Sequence, residues 1–350
     1  MAALPPMLAV AACGGGGSSG GGGVGTGPAA ASVTERRVKV ATGPDVSLQV
    51  RDWQKPGATG PAIVLLAGLG ANARCFDSLA PALASDFSRV IAISRRGYGL
   101  SDKPLPVKSD TQYYEVDTLV ADLKSAFDEL GLSRAVLAGH SIAGNELTHF
   151  AGLFPERVQG LVYLDTTFDY VVGGDTGGED VPLDNPALFE PVATPEDGQS
   201  LQAAIAFNRR RFKNWWPPLE ANLRDAIDTR PDGSVRINTP DAVEAAMDVE
   251  AHKFSPDYTP VRAPSLVITA LPADNRDLFP WLDMPLDAKT TQDSAKFLRI
   301  FRRARVIDGD RLAAALKTPH HVTLDNCCHG DFLMEREADV LRAIRFMTWA

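Results

Sequence analysis

A strand that becomes a helix within six residues constrains this sequence most. Ser133-Arg134-Ala135-Val136-Leu137-Ala138 is short, β-branched and aliphatic, and reads as a buried strand. Leu147, Phe150, Ala151 and Phe154 then recur at helical spacing until Pro155 closes the helix. The junction is Gly139-His140-Ser141-Ile142-Ala143-Gly144. A serine at such a bend sits in strained backbone with its hydroxyl projecting from the sheet edge. Small neighbours (Gly139, Ala143, Gly144) let strand and helix close around it. Free N–H groups at the start of the helix add a positive field where an oxyanion would form. As a string the hexapeptide is loose, because Ala143 holds the place of a second glycine that has slipped to Gly144. Its meaning depends on what surrounds it.

The surroundings alternate. Arg37–Val40 and Ser47–Val50 flank Gly43-Pro44-Asp45 and predict an antiparallel hairpin. Ala62-Ile63-Val64-Leu65-Leu66 is continuously apolar, as in a strand covered on both faces. The loop Ala67-Gly68-Leu69-Gly70 leads to a helix through Leu79, Leu83 and Phe87, and then to the strand Val90–Ile93. After the turn Arg95-Arg96-Gly97-Tyr98-Gly99-Leu100-Ser101-Asp102, one helical stripe carries Val116, Leu119, Val120, Leu123, Phe127 and Leu130. Beyond the serine helix comes Leu161-Val162-Tyr163-Leu164, ending in Asp165. Strands and helices in this rhythm predict right-handed crossovers and a mostly parallel sheet between helical layers.

From 168 to 263 the rhythm breaks into Gly- and Pro-rich loops, helices over Leu201–Phe212 and Asp241–Ala251, and Trp215-Trp216-Pro217-Pro218. This stretch reads as an inserted helical lid, with the core divided between 35–167 and 264–350. Trp215 and Trp216 are candidate substrate contacts, although lid core is the commoner role for such residues. The sheet resumes at Ser265–Thr269. A helical stretch through Phe297, Ile300 and Phe301, the strand His321–Leu324 and a helix stapled by Val340, Leu341, Ile344 and Phe346 complete the pattern.

A net charge of −9 argues against a nucleic-acid partner. The basic runs Arg209-Arg210-Arg211 and Arg302-Arg303 with Arg305 read as solvated helix faces. At the N-terminus, Leu8-Ala9-Val10-Ala11-Ala12-Cys13 precedes a glycine tract that can only act as a tether. The run resembles a bacterial lipobox, which implies lipidation of Cys13, export, and a periplasmic or cell-surface protein anchored to a membrane. It lacks a basic n-region and its apolar stretch is short, so a cytoplasmic protein with a disordered leader (1–34) is the alternative. No pairing of Cys75, Cys327 and Cys328 follows from sequence. A zinc site on Cys327, Cys328 and His329 lacks a second ligand pair.

The hexapeptide GHSIAG, the loop LLAGLG, the turn RRGYGLSD, the segment ERVQGLVYLD and a histidine before the last helix occur in an order that resembles the α/β-hydrolase fold over residues 35 to 350. Ala67 stands where that family usually has histidine, and Ser94 where it usually has aspartate. The resemblance implies a nucleophile at Ser141 and, in the family's order of nucleophile, acid and histidine, a general base at His329. Of six histidines, His329 alone sits in a loop leaving the final strand. Two carboxylates compete to orient it. Asp165 follows the strand after the elbow helix, the acid site of some haloalkane dehalogenases. Asp274 lies after the next strand, the commoner location. Asp165 is slightly favoured because it sits on rigid scaffold. The backbone amides of Leu69 and Ile142 are expected to receive the oxyanion.

The implied activity is hydrolysis of a small-molecule carboxylic ester or lactone through an acyl-enzyme, with no metal or organic cofactor. Carbon–carbon bond hydrolysis, amide hydrolysis, perhydrolysis and a non-catalytic ligand-binding role are the alternatives. The family's epoxide hydrolases and dehalogenases use aspartate where this chain has Ser141.

Overall fold

A computed structural model describes residues 31–318 and 320–349; Cys13 and the glycine tract lie outside the described residues. The described residues form ten strands: β1 Ser32–Ala41, β2 Asp45–Gln54, β3 Ala62–Leu66, β4 Arg89–Ile93, β5 Ala135–His140, β6 Val158–Leu164, β7 Ile227–Thr229, β8 Val235–Ile237, β9 Ser265–Leu271 and β10 His321–Asp325. Eight of them form one sheet in the order β1-β2-β4-β3-β5-β6-β9-β10. β2 is antiparallel to both of its neighbours, β1 and β4, and the strands β4, β3, β5, β6, β9 and β10 run parallel to one another.

The period of two within each strand sorts side chains between two cores. Ile63, Leu65, Val90, Ala92, Val136 and Ala138 face one layer. Val64, Leu66, Ile91, Ile93 and Leu137 face the other. The first layer is closed by α1 (Leu79–Leu83) and by the C-terminal helix Glu337–Phe346, through Val340, Leu341 and Ile344. The second is closed by α2 (Val116–Glu129) and α3 (Ala143–Leu153). Two expected features of the helices differ. The segment through Phe87 stops at Leu83, whose carbonyl takes the N–H groups of Asp86 and Phe87. Phe346 does not staple the last helix: it is 77% exposed.

Between β6 and β9 the insertion carries α4 (Leu201–Arg209), α5 (Pro217–Ala226), the small β7–β8 hairpin and α6 (Asp241–Ala251). Val243, Ala246 and Met247 of α6 pack on Tyr98 and Tyr114. Asn222 of α5 is bonded to Asn72 by both backbone and side chain. A short α7 (Asn275–Leu278), a 28-residue α8 (Ala288–Ala315), α9 (Phe332–Glu335) and α10, the C-terminal helix, complete the helices. Among the described residues no helix is long and apolar enough to cross a membrane.

Candidate active site

Ser141 ends the strand–helix transition with φ at +55°, a left-handed backbone that a non-glycine residue adopts only under constraint. Its N–H is held by the Leu164 carbonyl of the next strand at 3.1 Å, and its carbonyl accepts the Gly144 N–H at 3.0 Å. A Cβ on Gly139 would come 2.5 Å from Leu147 Cδ1, so glycine alone allows this approach. The displaced glycine is explained in the same way: a Cβ on Gly144 would strike the side chain of Thr166, whereas Ala143 at the usual glycine site is simply buried.

Asp165 also has a positive φ, +50°, immediately after β6, and its N–H is fixed by the Ile268 carbonyl at 2.7 Å. Its carboxylate is buried and fully engaged. Oδ2 lies 2.6 Å from Nδ1 of His329, while Oδ1 accepts from the Ala270 N–H at 2.8 Å and from the guanidinium of Arg305. Burial alone would raise this carboxyl, but Arg305 and His329 hold it well below 3.8. Asp274 is elsewhere. It is exposed and caps α7, its Oδ1 accepting the N–H groups of Arg276 and Asp277. The imidazole therefore meets Asp165 and not Asp274.

His329 presents its backbone carbonyl to Nε2 of His140 at 3.0 Å, and the two rings lie 4.5 Å apart. Burial and the neighbouring His329 push His140 down to about 3. The ring preceding Ser141 thus braces the loop carrying His329. Tyr170 places its hydroxyl within hydrogen-bonding reach of Thr166 and Ser141. Among the described residues no direct hydrogen bond joins the Ser141 hydroxyl to the imidazole, a contact that commonly tightens only with substrate bound.

Ser141, His329, Asp165, Leu69 and Ile142 all line one cavity of about 1030 Å³. Ile142 precedes the first turn of α3, and Gly68 is so close to the elbow that a Cβ there would sit 3.1 Å from Ser141 Cβ. The outer wall is apolar, with Phe207, Phe212, Leu223 and Val235 from the insertion and Trp281, Phe297 and Phe301 from beyond β9. Trp215 and Trp216 are not among the lining residues. Trp216 donates to Asp331 at 3.1 Å and precedes α5, and both rings pack against the core. They wedge the insertion onto the scaffold, so their proposed substrate contact is corrected. The solvated-face reading of the second basic run also fails at Arg305, which is buried against Asp165. Phe297, Ile300, Ala304, Asp308 and Leu312 mark the buried stripe of α8, and Arg305 falls on it.

These features define a nucleophile-elbow protein of the parallel α/β class. A family model described as alpha/beta hydrolase fold matches residues 61–281, and the chain belongs to that family. It is similar to the bifunctional epoxide hydrolase 2 of Sus scrofa, 28% identical over 184 residues covering 52% of this chain and 32% of the relative. It is also similar to a 2-(acetamidomethylene)succinate hydrolase of Mesorhizobium japonicum, 30% identical over 132 residues covering 38% and 42%. The matches thus span about a third of the length of such curated relatives. Among solved structures, an E-2-(acetamidomethylene)succinate hydrolase superposes with a TM-score of 0.61 at 18% identity, covering 89% of this chain and 98% of that one. The thioesterase domain of the curacin pathway superposes with 0.62 at 14% identity, covering 90% and 100%. At such identity these likenesses speak to the fold alone.

Proposed function

We propose that this protein is a serine hydrolase cleaving carboxylic esters or lactones with a bulky apolar acyl part. The observation that carries the reading is the 2.6 Å bond from His329 to buried Asp165 beside a serine in a left-handed elbow. Ser141 Oγ attacks the carbonyl carbon while His329 takes its proton, and Asp165 holds the imidazole in the tautomer that can accept it. The N–H groups of Leu69 and Ile142 receive the negative oxygen. Collapse of the tetrahedral adduct releases the alcohol with the proton returned by His329, and water deprotonated by the same ring clears the acyl-enzyme. A serine in place of an aspartate favours this route over the alkyl-enzyme chemistry of the family's epoxide hydrolases. The aromatic outer wall and a cavity of about 1030 Å³ favour a large apolar acyl group over a short one. The test is fluorophosphonate labelling with turnover of p-nitrophenyl esters of graded chain length. Wild type is labelled and active, and Ser141→Ala is neither; an unlabelled, folded wild type would leave a binding scaffold as the better reading.

A further inference from the structure

Beside the nucleophile, Arg95 and Glu146 form an ion pair that the scheme above does not use. Both side chains are almost wholly buried. Nε and Nη2 of Arg95 donate to Glu146 Oε1 at 3.0 and 2.7 Å. The same guanidinium donates from Nη1 to the Gly68 carbonyl at 2.9 Å and from Nη2 to the Ala67 carbonyl at 2.6 Å. Burying such a pair is rarely a net gain in stability. Its role is better sought in what it holds.

One end fixes the peptide that carries one expected oxyanion donor, and the other sits one turn along the helix that the second donor precedes. In a planar trans peptide the C=O and N–H point in opposite directions. The Gly68 carbonyl is turned onto Arg95 and also accepts the Ala71 N–H at 3.3 Å, so the Leu69 N–H of that peptide is turned away from the guanidinium. Gly68 and Leu69 line the cavity and Arg95 does not. The N–H therefore looks away from the buried pair. Gly68 has no side chain to resist a peptide flip, so the orientation needs an external hold. At the other end, Glu146 lies four residues after Ile142 and on the same side of α3, which ties the start of that helix to the same guanidinium.

We propose that Arg95 is a positioning residue for the oxyanion hole. By holding the Ala67 and Gly68 carbonyls against Glu146, it keeps the Gly68–Leu69 peptide in the one orientation that offers the Leu69 N–H to the developing oxyanion. This rests on the serine-hydrolase reading.

The test compares wild type, Arg95→Met and Arg95→Lys for fluorophosphonate labelling, p-nitrophenyl butyrate kinetics and inhibition by an alkylboronic acid, whose serine adduct carries the oxyanion. Loss of one oxyanion donor predicts a kcat lower by about 10²-fold in Arg95→Met, with boronate inhibition weakened in parallel. KM stays within about threefold, because the donor acts chiefly in the transition state. Lysine can pair with Glu146 but cannot serve both carbonyls, so Arg95→Lys still loses more than about tenfold in kcat. Should Arg95→Met not fold, Arg95→Lys decides on the same readouts. A folded variant with kcat within about twofold of wild type, or with its loss confined to KM, overturns the proposal. A wild type that is neither labelled nor active overturns the hydrolase reading itself, and the proposal with it.

Discussion

Nδ1 of His329 lies 2.6 Å from Oδ2 of Asp165 across 164 residues of sequence. If this pair orients the base, Asp165→Asn lowers kcat by about 10⁴-fold while leaving the fold intact. Asp274→Asn keeps a capping side chain at an exposed helix start, so its kcat stays within about twofold and its stability within about 1 kcal/mol. Steady-state kinetics on both variants read this directly. A large loss in Asp274→Asn with a near-normal Asp165→Asn reverses the assignment.

Arg305 sets the acid tolerance of the fold. The Asp165 carboxyl, held below 3.8 although burial opposes it, contributes stability that is fully present above that value. This contribution is lost only as pH falls well beneath it. In Arg305→Met burial prevails, the carboxyl protonates at higher pH, and the midpoint of acid unfolding followed by circular dichroism moves upward. Removing one partner of a buried pair also costs about 3–5 kcal/mol at neutral pH. An unchanged acid midpoint contradicts this account of the pair.

Asp331 behaves with the opposite sign. Burial raises its carboxyl to about 6, even though Cys328 Sγ–H at 2.7 Å and the Trp216 N–H both donate to it. A group raised in the folded state contributes stability at low pH and loses it as pH rises through about 6. The full swing amounts to about 3 kcal/mol. Asp331→Asn keeps an acceptor for Trp216 without burying a charge. Its stability relative to wild type therefore improves between about pH 4 and pH 7, as thermal melts across that range would record. A pH-independent difference argues against a titrating Asp331.

Gly144 is needed for contact rather than for backbone freedom. A methyl group there would press on Thr166, so Gly144→Ala destabilises by about 1–3 kcal/mol in denaturant unfolding. Thr166→Ser removes the methyl that is also in the way and recovers part of the loss. If Gly144→Ala is neutral, the close packing of elbow helix on strand is not what fixes the nucleophile.

Lipidation of Cys13 predicts that the full chain fractionates with membranes and that Cys13→Ser releases it. Unchanged fractionation removes the anchor and leaves a cytoplasmic protein as the simpler reading.

The sheet, the elbow and the competing acids were legible because each is written locally. β5 opens with four buried aliphatics, Ala135 to Ala138, and the small residues Gly139, Ala143 and Gly144 surround the bend. Asp165 could be named because it ends a strand, but the choice over Asp274 needed the positions of β6 and His329 in space. Arg305 and Asp308 were missed since basic and acidic residues on a helix usually mean water. Their signal was present in the i, i+4 stripe with Phe297, Ile300, Ala304 and Leu312, where a charge can survive only if something buried pairs with it. The tryptophans illustrate the reverse error. Large aromatics in an insertion suggest a ligand, yet whether they face the cavity or the scaffold depends on a loop direction that composition does not record.

The order of parts along the chain has a temporal consequence. Ser141, the elbow helix and the insertion all precede β10 and the loop bearing His329. On the proposed serine-hydrolase reading, a growing polypeptide that has not yet reached residue 329 holds its serine without a base, and activity would arrive abruptly, only when the last parallel strand docks beside β9.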